Sequence, residues 1–195
     1  KYFNSKKIWC ASSTHQNEEI FCGKVHKELK KKYKNLVTII IPRHVERVNK
    51  IQSDLNNLDL NIHIHNSKTK MNKNTDIYLV DSYGKSKSFY RSCQNVFLGG
   101  SLINHGGQNP LEAARFGCNI LHGPNVYNFK EIYSFLKENN LLKKISNQKK
   151  MLKELKKLFS KKINQKKIQK KINLIGQNIL KRTLNEINFI LKNAN

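Results

Sequence analysis

The sequence predicts an α/β domain built on a doubly wound parallel sheet. Two observations predict it. Short runs of β-branched and aliphatic residues alternate with stretches of helical apolar spacing over the first two-thirds of the chain. Those short runs end in loops rich in glycine, proline and serine. In sheets of this class, ligands bind outside the carboxyl ends of the strands.

The elements follow in order. Ile8 to Ala11 is a short strand, and Ser12-Ser13-Thr14-His15 is the loop that leaves it. Glu18 to about Lys32 is a helix with Ile20, Val25 and Leu29 on one face. Leu36 to Ile41 is a β-branched run, hence a buried parallel strand that Pro42 ends. Helical spacing resumes from Val45 to about Leu58. Asn61 to His65 is a weak strand and Ile77 to Val80 a stronger one. A turn at Ser82-Tyr83-Gly84 and a short helix through Tyr90 come next. Val96 to Gly99 and Asn119 to His122 complete a series of about six strands. The loops beginning at Ser12, Pro42, Asp81, Gly99 and Gly123 all leave carboxyl ends.

After about residue 130 the pattern is helical only. Phe129 to Glu138 is one helix, and Asn147 to about Lys162 is a lysine-rich second. Ile163, Ile168, Ile172, Ile175, Ile179, Leu184, Ile187 and Leu191 then mark a long amphipathic helix, with Gly176 a candidate kink. It is expected to pack on its own sheet rather than to serve as a nucleic-acid arm. Residues 1–162 read as one domain, with 163–195 as its C-terminal helix or a helix returning to another domain.

The chain has 195 residues, enough for one domain with a real core, and 38% of them are apolar. Its formal charge of +24 is the outlying number. Compositional drift towards Lys, Asn and Ile and an anionic partner surface both account for such a charge. Cys10, Cys22, Cys93 and Cys118 form no C-x-x-C pair and read as reduced core cysteines. His63 and His65 alternate on one strand face without an evident third metal ligand, so a structural role is expected and no metal site. No run of about 18 apolar residues occurs. A strand entered almost at once by Lys6-Lys7-Ile8-Trp9 suggests an excised domain. A Walker-type loop and a G-x-G-x-x-G after the first strand are both missing, which disfavours an ATPase and an ordinary nicotinamide dehydrogenase.

The segment from Phe97 to Phe129 carries most of the functional signal. An apolar run ends in Gly99-Gly100-Ser101, Gly106-Gly107 follow, and Asn109-Pro110-Leu111-Glu112 opens a helix. A second apolar run then ends in Gly123-Pro124. Glycines let backbone approach a ligand, and a helix start offers N–H groups to an anion. Glu112 is suited to ribose hydroxyls, so the segment reads as a nucleotide site.

Other candidates are weaker alone. Ser13, Thr14 and His15 form either a cleft wall or, with Thr14 or Asn17 as cap and Glu18-Glu19 behind, a helix start. Arg43 lies at a strand's carboxyl end, either for two hydrogen bonds to a phosphate or carboxylate or paired with Glu46. His44 is a phosphate donor or a helix-start residue. The Asp81-Ser82-Tyr83-Gly84 turn offers backbone groups to a base. No carboxylate pair is positioned for acid–base work.

Together these motifs resemble the C-terminal half of the Kdo transferases, the 3-deoxy-D-manno-octulosonic acid transferases of lipopolysaccharide synthesis. The resemblance covers roughly residues 7–135 and is carried by Ser12-Ser13-Thr14-His15 with Glu18-Glu19, by Pro42-Arg43-His44 with Glu46-Arg47, and by Asp81-Ser82-Tyr83-Gly84. Phe97 to Glu112 and Gly123-Pro124 with Asn128-Phe129 complete it. It implies a GT-B glycosyltransferase whose Rossmann-like C-terminal half binds CMP-Kdo, while an N-terminal half carries the membrane anchor, the acceptor site and the catalytic base. The base is then expected outside this chain.

The resemblance puts Pro42, Arg43 and His44 by the CMP phosphate, and the Tyr83-Gly84-Lys85 turn at the nucleotide. Asn109, Pro110, Leu111 and Glu112 would meet CMP, with Glu112 on the ribose. Gly99, Gly100 and Ser101 would let backbone close on the donor. It further implies inverting transfer to a phosphorylated lipid A precursor (lipid IVA) without metal or cofactor, at the cytoplasmic face of the bacterial inner membrane, whose anionic surface the positive charge would meet. Lys85-Ser86 stands where the family commonly has Glu-Leu, Asn17 where it has glycine, and Ser12 where it has alanine or threonine. A UDP-sugar transferase or epimerase and a basic RNA-binding protein are the rival readings, and nucleic acid is not the expected partner.

Overall fold

One sheet of seven strands organises the chain, in the order β3-β4-β2-β1-β5-β6-β7. The computed structural model describes residue 3 and residues 5–161 and 165–193. The strands are β1 (Lys7–Thr14), β2 (Leu36–Pro42), β3 (Ile62–Ile64), β4 (Ile77–Leu79), β5 (Asn95–Leu98), β6 (Asn119–His122) and β7 (Leu142–Lys144). Every pairing is parallel. The helices are α1 (Glu18–Lys32), α2 (Val48–Asn56), α3 (Ser86–Tyr90), α4 (Leu111–Arg115), α5 (Lys130–Glu138), α6 (Gln148–Phe159) and α7 (Gln165–Asn193). A short 3-10 turn, Val45–Arg47, precedes α2.

The two faces carry separate cores, as double winding requires. Strand alternation sends Trp9 and Ala11 to one side and Cys10 to the other. On the first side α1, α2 and α6 pack through residues such as Leu29, Ile51 and Leu155. On the second, α3, α4 and α5 bring Phe89, Ala114 and Leu136. All seven residues of β2 are buried, so its unbroken apolar run reflects cover on both faces. The four cysteines are free and buried.

Three expectations need correction. The run Ser12 to Thr14 belongs to β1 rather than to a loop. Strands on both sides extend it, and the register with β2 slips between Ser12 and Thr14. Ser13 absorbs that bulge at φ 55. The region after residue 130 is not purely helical, because β7 pairs with β6. Its Leu142 is buried and Lys143 and Lys144 are exposed, so it lacks a β-rich signature, and its lysines suit a sheet edge. Finally, α7 packs on its own domain only near its start. Ile172 is buried, Ile168 is partly buried against the same core, and Gln169 donates to the Phe116 carbonyl. Ile179, Leu184, Ile187 and Leu191 are exposed. The helix runs unbroken through Gly176, and Lys162 and Ile163 lie outside the described residues.

Local chemistry explains several boundaries. Asn17 begins α1 at φ 73 with no side-chain cap, a conformation that favours glycine and tolerates asparagine. Asn17 therefore occupies the N-cap position without a side-chain cap bond and Thr14 is a buried strand residue, so the capping alternative holds for neither side chain. The Asn147 side chain accepts the Lys150 N–H and caps α6, worth about 1 kcal/mol. Beneath the sheet, Asp76 accepts from buried His26 and pairs with Lys30 at 2.8 Å. Burial alone raises the Asp76 carboxyl's pKa, but the His26, Lys30 and Asn61 donors outweigh it and hold it well below the carboxylate range. His63 and His65 pack on the Tyr78 ring, and His65 Nδ1 lies 2.8 Å from the Tyr78 hydroxyl.

Candidate functional site

The strand order reverses at β1. From it the chain builds β2, β4 and β3 outwards on one side, then returns to place β5, β6 and β7 on the other. Loops leaving β1 and β5 therefore diverge and open a crevice at their carboxyl ends. A cleft of about 620 Å³ lies there, lined by Ser13, Tyr90, Leu98, Gln108, Asn109 and Glu112, among others. Its size falls within the range of about 300–1,000 Å³ usual for small-molecule sites.

The wall is part aromatic and part charged. Tyr90 is buried and donates to Ser12 Oγ at 2.7 Å, which raises one wall from the floor of the sheet. The Phe116 ring stands 6.2 Å from the Tyr90 ring and borders the same cleft. Lys87 Nζ lies 3.7 Å from Glu112 Oε1, with both side chains partly exposed. Arg115 and Ser86 complete the charged and polar wall.

A rim of histidine and arginine side chains adjoins the cleft. The His15 and His105 rings lie 4.0 Å apart, and His44 reaches His15 at 5.7 Å. Burial first, then His105, His44, Arg47 and Arg43, pushes the His15 pKa down to about 4, so this ring is neutral at pH 7. Gln108 joins the two regions: it lines the cleft, and its Nε2 lies 3.3 Å from His15 Nε2. Arg43 is exposed and, among the described residues, pairs with no acid; Glu46 instead meets His44 at 3.4 Å and accepts from the Tyr83 hydroxyl at 3.0 Å. Arg47 is occupied by a two-bond pairing with buried Glu19.

Of the residues singled out by sequence, Ser13, Asn109, Leu111 and Glu112 line the cleft. His15 sits on the rim beside His44, and Arg43 is bonded through its N–H to the Thr14 carbonyl. Pro42 is buried as the last residue of β2. The Tyr83-Gly84-Lys85 turn lies across the Tyr83–Glu46 hydrogen bond from this rim, with Gly84 at φ 73. Thr14 is fully buried and does not reach the cleft wall.

The glycine loop differs most from expectation. Gly100 and Ser101 are buried, and both N–H groups are spent on the Glu18 carboxylate rather than aimed at a ligand. The Ser101 hydroxyl bonds inward to the Leu98 carbonyl and accepts the Gly123 N–H. The helix start at Asn109-Pro110 is also less open than expected. The Asn109 side chain accepts the Leu111 N–H at 2.9 Å, and α4 spans only five residues, which limits its dipole. Sequence reasoning missed Ser86, Lys87, Tyr90, Gln108, Arg115 and Phe116. Gln108 sits unremarked inside the Phe97–Glu112 segment, and the others lie close to the motifs, on α3, on α4 or just after it.

Among the described residues no group of three or more His, Cys, Asp or Glu side chains could hold a metal ion. No helix among them is long and apolar enough to cross a membrane.

No protein-family model matches the chain. The curated 3-deoxy-D-manno-octulosonic acid transferase of Haemophilus influenzae is 39% identical over 134 residues, covering 68% of this chain and 31% of the relative. That of Rickettsia prowazekii is 31% identical over 163 residues, covering 82% of this chain and 34% of the relative. Among solved structures, the C-terminal CMP-Kdo binding domain of WaaA from Acinetobacter baumannii superposes with a TM-score of 0.82 at 24% identity, covering 90% of this chain and 92% of that one. The fold is thus that of the C-terminal, Rossmann-like half of a GT-B enzyme. The chain spans about a third of the length of the curated relatives it matches, and it belongs to the 3-deoxy-D-manno-octulosonic acid (Kdo) transferase family.

Proposed function

We propose that this chain is the donor-binding domain of a Kdo transferase and that its cleft holds CMP-Kdo. One observation carries the reading: a ligand-sized cleft at the point where strand order reverses, with Glu112 in its wall and an exposed arginine, Arg43, that pairs with no acid among the described residues, on the neighbouring rim. Glu112 accepts the ribose hydroxyls, and Tyr90 and Phe116 offer apolar surface to the nucleoside. Arg43, with Pro42 and His44 beside it, meets the phosphate. The Tyr83-Gly84-Lys85 turn closes over the nucleotide from the side of β4.

The reaction that fits is inverting transfer without a metal or cofactor. An acceptor hydroxyl of a phosphorylated lipid A precursor attacks the anomeric carbon, and the bond to the CMP phosphate breaks. Negative charge then grows on the departing phosphate, where Arg43 stabilises it by a charge-assisted hydrogen bond of about 1.5–3 kcal/mol. The base that takes the acceptor proton comes from the part of the relatives with no counterpart in this chain. On this reading the chain binds donor and does not transfer it alone, and transfer by the isolated chain overturns that division of labour. The formal charge of +24 supports docking at the anionic cytoplasmic face of the bacterial inner membrane.

Calorimetric titration with CMP, UMP, AMP and NAD tests the donor. CMP is expected to bind selectively, and Glu112→Ala to weaken it about tenfold to a hundredfold, the loss of one charged hydrogen bond. Equal binding of UMP would favour a UDP-sugar enzyme. Absence of any nucleotide binding would sink the reading.

A further inference from the structure

We propose that Glu18 is the positioning residue of the donor cleft: its carboxylate locks the glycine loop after β5 to the end of β1. This rests on the donor-nucleotide reading of the cleft. Glu18 is 1% exposed, and among the described residues it pairs with no cation. Its four bonds all come from backbone. Oε2 accepts the His15 N–H at 3.0 Å and the Gly100 N–H at 2.7 Å. Oε1 accepts Ser101 N–H at 3.1 Å and Leu102 N–H at 3.0 Å. A neutral side chain cannot do this. A carboxylate is acceptor-only on both oxygens, whereas an amide would turn its NH₂ towards two N–H donors.

The lock acts on both walls of the cleft. On one side it fixes His15, next to the bulge that turns Ser13 into the cleft. On the other it fixes Gly100, whose carbonyl accepts the Gly107 N–H one residue before Gln108 and Asn109 line the cleft. The two sides touch closely: a Cβ on Gly99 would come within 3 Å of Thr14 Cα and of Glu18 Oε2. Burial raises the carboxyl's pKa above its ordinary value, and the four N–H donors offset only part of that rise.

The test combines CMP titration with amide exchange on parent, Glu18→Gln and Glu18→Asp. In Glu18→Gln, exchange at Gly100, Ser101 and Leu102 is expected to accelerate at least about tenfold, while Val96 and Ile120 in the central strands keep the parent's protection. The CMP Kd is expected to rise at least about tenfold in the same variant. Unchanged exchange at 100–102 overturns the lock. Accelerated exchange with a CMP Kd within about twofold of the parent overturns the positioning role and leaves a structural one. If Glu18→Gln does not fold, Glu18→Asp, which keeps the charge and shortens the reach, is read against the same limits. Failure of both to fold makes the carboxylate a folding requirement and overturns the proposal. If the parent itself does not bind CMP, the donor reading falls, and the exchange data alone decide the lock.

Discussion

Lowering the pH from 7 to 5 is expected to expose a stability term held by one side chain, His122. The ring ends β6, is 7% exposed, and donates from Nδ1 to the Gly123 carbonyl at 2.7 Å. Burial pushes its pKa down to about 4; the Gly123 bond opposes this, and Lys144 and Lys137 add to it. In the unfolded chain the ring titrates near pH 6.5. The unfolded state therefore binds the extra proton between the two values, and stability falls as pH drops through that window. Integrating between pH 7 and pH 5 gives a loss of about 2 kcal/mol from this residue. The assay is urea unfolding, followed by circular dichroism, of the parent and of His122→Gln. The variant starts less stable at pH 7, and the gap is expected to close by about 2 kcal/mol at pH 5. His15 and His26 are also pushed down, but they titrate in both proteins and cancel in the comparison. A gap that stays constant to within about 0.5 kcal/mol would refute the reasoning, because His122 would then titrate alike in both states.

Two further outcomes test other parts of the structure. Gly123→Ala places a Cβ on the Ser101 and Leu102 backbone, which has no flexible end to retreat, so a loss of about 2 kcal/mol and a Tm lower by about 4–8 °C are expected; an unchanged Tm refutes the close approach. Vesicle sedimentation is expected to show binding that rises with the fraction of anionic lipid and falls with salt, as a basic surface demands; binding independent of lipid charge removes the membrane role.

The elements most legible in the sequence were those whose burial is set locally. The Leu36–Ile41 run, the face of α1 and the apolar runs before Gly99 and Gly123 each carry their own signature. β7 carries none, because a three-residue strand with two lysines exists only through pairing with β6. The same holds for Glu18. From sequence it is a helix-start acid, and only the return of the chain to β5, some eighty residues later, brings three loop N–H groups to it.

By itself, then, the sequence determined the α/β class, the loops at the strand ends and the family, because hydrophobic period and motif spacing are written along the chain. Tertiary structure decided which of those loop groups remain free. It spent the Gly100 and Ser101 amides on Glu18, tied Arg47 to Glu19 and left Arg43 open. It also left the apolar face around Ile187 and Leu191 uncovered, although its spacing matches that of a packed helix. The physical reason is one: spacing fixes which face a residue occupies, but hydrogen-bond partners and cover come from segments far away in the chain.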